Sequence, residues 1–142
     1  MAFNVLVVDD SAVMRAMIIK TLRLSGVPLG EIHEAANGKE ALQVLDRHWI
    51  DLALVDINMP VMTGEEMLEQ IRQNPETADL AVIVVSTEGS EARIEQLRRQ
   101  GAQFIHKPFT PETLREAIIN TIGGWDAPET GSGPIQSGRF DF

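Results

Sequence analysis

Apolar residues in this chain gather in short unbroken runs that alternate with longer, interrupted stretches. The runs are Phe3 to Val8 (broken only by Asn4), Leu52-Ala53-Leu54-Val55, Ala81-Val82-Ile83-Val84-Val85 and the shorter Gln103-Phe104-Ile105-His106. Short, nearly continuous apolar runs predict strands buried on both faces. The stretches between them repeat apolar residues at the helical period. Ser11 opens one, with Val13, Met14, Met17, Ile18 and Leu22 on one face, and Gly26 and Pro28 end it. Glu31 to Ala35 carries a weak strand signal. Asn37 stands three residues before Glu40, a cap-like start for a helix turning Ala41, Leu42 and Leu45 inward, closed by His48-Trp49-Ile50. Thr63 and Glu66 form a capping-box pattern ahead of Met67, Leu68 and Ile71, and Asn74-Pro75 breaks that helix. Thr110-Pro111 starts another, lined by Leu114, Ile118 and Ile122 and ended at Gly123-Gly124. Ser90 to Gln100 reads as a helix with only Ile94 and Leu97 plainly apolar, hence the most thinly packed of the five.

Five strands alternating with five helices imply an α/β domain, a parallel sheet covered on both faces. In such sheets ligands bind at the carboxyl ends of the strands. Asp9, Asp10, Asp56, Ser86 and Lys107 all fall at that edge. Two buried strands that both end in acid are unusual as packing alone. Carboxylates about 4 Å apart repel by roughly 4 kcal/mol at an effective dielectric near 20, so the cluster calls for a cation, a proton or a function.

Composition narrows what that function is. The 142 residues suit one domain over residues 1–124, followed by a linker-like tail over 125–142 rich in Pro, Gly and Ser. A net charge of -9 argues against nucleic-acid binding and against adhesion to anionic membranes. With no cysteine, disulfides, thiolate metal sites and cysteine nucleophiles drop out. No secretory signal and no run of about 20 apolar residues appear, which predicts a cytoplasmic protein.

As chemistry, the edge offers three carboxylates, a hydroxyl and an ammonium. Carboxylates suit a hard divalent cation, a lysine suits a phosphate oxygen, and an aspartate can itself become an aspartyl-phosphate. The pieces fit phosphoryl transfer onto an aspartate.

The motifs Val7-Val8-Asp9-Asp10, Asp56-Ile57-Asn58-Met59-Pro60, Val85-Ser86-Thr87-Glu88 and Lys107-Pro108-Phe109 together resemble those of a response-regulator receiver domain of the single-domain chemotaxis kind, from residue 3 to about 122. The resemblance implies a doubly wound, flavodoxin-like sheet of order 2-1-3-4-5. It implies a two-component signalling switch rather than an enzyme, with Asp56 accepting a phosphoryl group from a histidine kinase. It further implies magnesium held by Asp10, Asp56 and the Asn58 carbonyl with help from Asp9, phosphoryl oxygens bound by Ser86 and Lys107, and a cis Lys107-Pro108 bond. Phe104 falls where the family has a rotating aromatic, commonly tyrosine. Thr87 stands where alanine is frequent, which narrows access, and Asn58 and Glu88 occupy positions that tune loss of the phosphoryl group. The output partner is expected on the surface of residues 90–122.

Other readings compete. Asp9-Asp10 also suits a helix N-terminus, Asn58-Met59-Pro60 a plain turn, and Lys107 a surface lysine. His33, His48 and His106 are scattered without metal spacing and read as structural or surface residues. Arg98-Arg99 reads as a solvated helix face. An aspartate-nucleophile phosphohydrolase would carry a second acid two residues after its nucleophile, where Asn58 stands, and a cap domain. A receiver at the front of a longer regulator fits the tail equally well. A pseudo-receiver would lack some of the phosphorylation residues. The kinase, the partner and the pathway are not written in the sequence.

Overall fold

The computed structural model describes residues 2–56, 61–87 and 90–123. In chain order the elements are β1 (Phe3–Val8), α1 (Ala12–Leu24), β2 (Leu29–Ala35), α2 (Gly38–Arg47), β3 (Leu52–Val55), α3 (Gly64–Gln73), β4 (Ala81–Ser86), α4 (Glu91–Arg99), β5 (Gln103–His106) and α5 (Pro111–Ile122). All strand pairs are parallel, as the alternation of elements predicts, and the sheet order is β2-β1-β3-β4-β5, as the receiver-domain resemblance implies.

The side-chain period of two divides the sheet into two buried faces. Leu6, Val8, Ala53, Val55, Val82 and Val84 pack with α2, α3 and α4. Val5, Val7, Leu52, Leu54, Ile83 and Val85 pack with α1 and α5. The uninterrupted runs are thus strands whose two faces are both core. Each helix starts where its sequence says it should. Ser11, Asn37, Thr63, Ser90 and Thr110 accept from the backbone N–H three residues on, and Thr63 with Glu66 completes the capping box.

Three expectations need correction. β2 begins at Leu29, two residues before the predicted Glu31, because the edge strand pairs with β1 from Phe3 onward across a register shift. Val13 and Met17, predicted on the buried face of α1, are 72% and 57% exposed, whereas Ile18 and Leu22 are buried. The face of α1 that packs on the core is centred on Ile18 and Leu22, with Met14 and Ile19 at its margin, and leaves Val13 and Met17 outside it. In α2 only Ala41 is fully buried of the three inward residues, with Leu42 and Leu45 at the core's margin. The thin packing of α4 is as predicted. Ile94 and Leu97 are its buried residues, and α4 adds no partly buried apolar side chain to either core, unlike α1, α2 and α5.

Candidate functional site

The site forms because β1 and β3 are neighbours and both end in acid. The ladder runs one residue past each strand, with Asp9 N–H donating to Ala35 O at 3.1 Å and Asp56 N–H to Val8 O at 2.9 Å. On the far side, Lys107 N–H donates to Ser86 O at 3.0 Å. These bonds fix the four backbones at the carboxyl edge, where the topology reverses about β1 and β3. The Lys107-Pro108 peptide is cis.

Asp9, Asp10 and Asp56 each bring a carboxylate oxygen within 4.8 Å of the others. Their environments differ. Asp9 is 2% exposed, Asp56 half-buried and Asp10 exposed. One Asp9 oxygen accepts from Ser11 N–H at 2.9 Å. The other, Oδ2, is buried with no hydrogen-bond partner among the described residues, and the Lys107 ammonium stands 3.6 Å from it. Burial pushes the Asp9 carboxyl above the ordinary carboxylate range, against the lowering effects of the Ser11 N–H and the Lys107 charge; Asp10 adds to the rise. Arg15 closes the α1 side, donating from Nη1 to the Asp9 carbonyl at 2.6 Å and from Nε to Glu34 at 2.8 Å.

Ser86 is buried at the end of β4 and Thr87 is exposed just beyond it. Phe104, opposite Val84 in the β4–β5 register, is half-buried against the α2–α3–α4 core, and its ring meets His106 edge-on at 4.8 Å. Asn58 and Glu88 lie outside the described residues, as does the tail from Gly124. Just past Asn58, Val61 holds φ at 70°, a left-handed conformation that a β-branched residue rarely adopts. Beside Lys107, a shallow apolar groove is lined by Met14, Met17, Thr21, Pro108 and Phe109.

Sequence reading missed one grouping. His33 and His48, taken as scattered, stack with ring centroids 4.2 Å apart, and Glu31 joins them. No helix among the described residues is long and apolar enough to cross a membrane.

Residues 5–119 match the family model for the response regulator receiver domain. The chain is 36% identical to a chemotaxis protein CheY homolog of Campylobacter jejuni over 132 residues, covering 92% of this chain and 95% of that one. It is 37% identical to the chemotaxis protein CheY of Bacillus subtilis, covering 86% and 99%. The structure of CheY4 from Vibrio cholerae superposes with a TM-score of 0.75 at 34% identity, covering 85% of this chain and 99% of that one.

Proposed function

This chain belongs to the family of response regulator receiver domains, and from that premise we propose that it is a phosphorylation switch in which Asp56 takes a phosphoryl group from the phosphohistidine of a histidine kinase. The observation that carries the reading is the buried, unpartnered Oδ2 of Asp9, set among three carboxylates with one ammonium against them. A buried oxygen with no hydrogen bond, in a cluster where a single ammonium faces three carboxylates, is suited to a cation.

Magnesium fits this donor set, which is all hard oxygen. Asp9, Asp10 and Asp56 would hold it, together with the carbonyl of Asn58. When bound, it offsets the negative charge that the transferred group brings to an acidic pocket. The remaining work falls to the chain itself. A carboxylate oxygen of Asp56 attacks phosphorus as the P–N bond of the phosphohistidine breaks, and the imidazole leaves with the electron pair. Lys107, whose ammonium lies 3.6 Å from Asp9, would neutralise a phosphoryl oxygen. Ser86, at the end of the strand adjoining β3, donates its hydroxyl to another. The groove over Met14, Met17 and Phe109, which reaches Lys107, would offer the donor an apolar resting place.

Output follows on the surface of residues 90–122. Movement of Ser86 toward the phosphoryl group and inward rotation of Phe104 would reshape α4, β5 and α5, where the downstream protein binds. The chain catalyses only its own phosphorylation and dephosphorylation.

Acetyl phosphate with magnesium should label the protein with an adduct sensitive to hydroxylamine. Label that survives in Asp56→Asn, or that forms equally well with chelator, would overturn the assignment.

A further inference from the structure

A second group of ligand atoms lies away from the acidic pocket, at the outer edge of the sheet. We propose that Glu31, His33 and His48 form a binding site for a borderline transition-metal ion such as Zn2+, joining edge strand β2 to the end of α2. Glu31 and His33 are two apart on β2 and so project from the same face. That face is the α2 side, since Ala35, of the same parity, packs in the core shared with α2. α2 ends at Arg47, and His48 caps it in an extended conformation with its N–H bonded to Val44 O at 2.9 Å. The turn out of the helix thereby lays the His48 ring on His33, with an interplanar angle of 30°. The Nε2 of His33 lies 2.9 Å from Glu31 Oε1. One nitrogen from each ring and one Glu31 oxygen are all within 4.8 Å of one another.

Two imidazoles and a carboxylate form a donor set chosen by zinc, nickel or copper over magnesium or calcium, which take oxygen. Bonds of about 2.0–2.2 Å around a tetrahedral ion place donors roughly 3.5 Å apart. The Glu31–His33 pair, at 2.9 Å, opens by about 0.6 Å, while the remaining separations, none above 4.8 Å, close by at most about 1.3 Å as the rings turn their lone pairs toward the ion. Side-chain torsions allow this, because Glu31 and His48 are exposed and free to turn about the partly buried His33. Water fills the fourth position. The site is chemically separate from the aspartate cluster, which has no nitrogen donor.

The experiment titrates the full chain with zinc by calorimetry in excess magnesium, which occupies the all-oxygen pocket. One zinc per chain should bind, and the side-chain 15N resonances of His33 and His48 should shift while those of His106 stay in place. His33→Gln and His48→Gln should each weaken binding at least about 10-fold, as loss of a direct ligand exceeds the effect of losing its supporting partner. Glu31→Gln should weaken it less, and Asp56→Asn should leave it unchanged. The resonance shifts are read on the unaltered protein, so a variant that folds poorly does not decide the matter. The proposal fails if zinc moves neither histidine, if the double histidine variant binds as the parent does, or if binding disappears in Asp56→Asn.

Discussion

Asp9 is held ionised at a cost, and replacing it tests the electrostatic account of the pocket. At an effective dielectric of 20, the Lys107 ammonium 3.6 Å away favours the Asp9 charge by about 5 kcal/mol. Asp10 and Asp56, both within 4.8 Å, oppose it by at least roughly 3.5 kcal/mol each on the same scale. Repulsion exceeds attraction by about 2 kcal/mol, and burial of Oδ2 without a partner acts in the same direction. Exposure of Asp10 screens its share. Asp9→Asn should therefore stabilise the metal-free protein by about 1–3 kcal/mol at neutral pH, or roughly 5–10 °C in Tm for a chain of this size.

The pH dependence carries a definite sign. Native Asp9 has a raised pKa, so the folded state holds its proton over a range where the unfolded chain has lost it. The penalty is absent below the unfolded carboxylate range, grows as pH rises, and is complete above the raised native value. The variant's advantage should thus shrink as pH falls through that window. Magnesium should offset most or all of that advantage, because an ion at 100 times its Kd stabilises the parent by about 2.7 kcal/mol and the variant by much less. Thermal unfolding across pH, with chelator and with magnesium, measures all three. A metal-free Asp9→Asn no more stable than the parent at neutral pH, or a gap independent of pH, refutes the reasoning.

Further outcomes are as definite. Arg72 donates to the carbonyls of Ala78, Leu80 and Gln100 at 2.9, 2.6 and 2.7 Å, tying α3 to the start of β4 and the end of α4. Arg72→Ala should cost about 3–5 kcal/mol in chemical denaturation, and Arg72→Lys should recover little, since an ammonium cannot span three acceptors in a fork. Phe104→Ala should destabilise by about 1–3 kcal/mol and remove the dependence of partner binding on phosphorylation; dependence that persists argues against the ring as readout. Apolar residues at both Asn58 and Glu88 should lengthen the life of the phosphorylated form, and an unchanged decay rate removes them from water attack. Truncation after Gly124 should leave folding and phosphorylation intact, as circular dichroism and acetyl phosphate labelling would show.

The parts of the fold legible in the sequence are those where one local rule suffices. Val5 to Val8 and Leu52 to Val55 are buried on both faces, so an unbroken apolar run identifies them and the acids that end them. β2 is less legible because it is an edge strand whose α2-side residues include Glu31 and His33, and because Pro28, directly before it, reads as the end of the preceding helix. The period of α1 names a stripe yet does not say which part of it packs on the core, and Val13 and Met17 stand in solvent. The pairing of His33 with His48 depends on how far α2 overhangs the sheet edge, a tertiary fact with no local signature. Likewise, three aspartates at one edge follow from topology, but the lone oxygen of Asp9 follows only from the packing around it.

The same packing explains why a change of a few atoms at Asp56 would reach α4. This helix buries only Ile94 and Leu97, Arg93 pairs with Glu65, one Arg93–Glu65 contact measuring 2.7 Å, and Arg72 holds its end at the Gln100 carbonyl. Glu65 lies in the first turn of α3, directly downstream of the segment that follows Asp56. Ser86 lies directly upstream of the segment leading into α4, and its carbonyl is bonded to the N–H of Lys107. The proposed phosphorylation therefore acts on both approaches to α4, through Glu65 on one side and Ser86 on the other. Phe104 faces the same core as Leu97, so space opened by Ser86 is shared with the helix's principal anchor. An element with only two buried apolar residues has a small difference in energy between placements, and a coupling of about 1–3 kcal/mol is enough to exchange them. Had the sequence given α4 a third core residue, the added burial of about 1.5–3 kcal/mol would equal the whole coupling. The thinness of α4 is thus what would allow the proposed phosphorylation at the sheet edge to be read on the surface of residues 90–122.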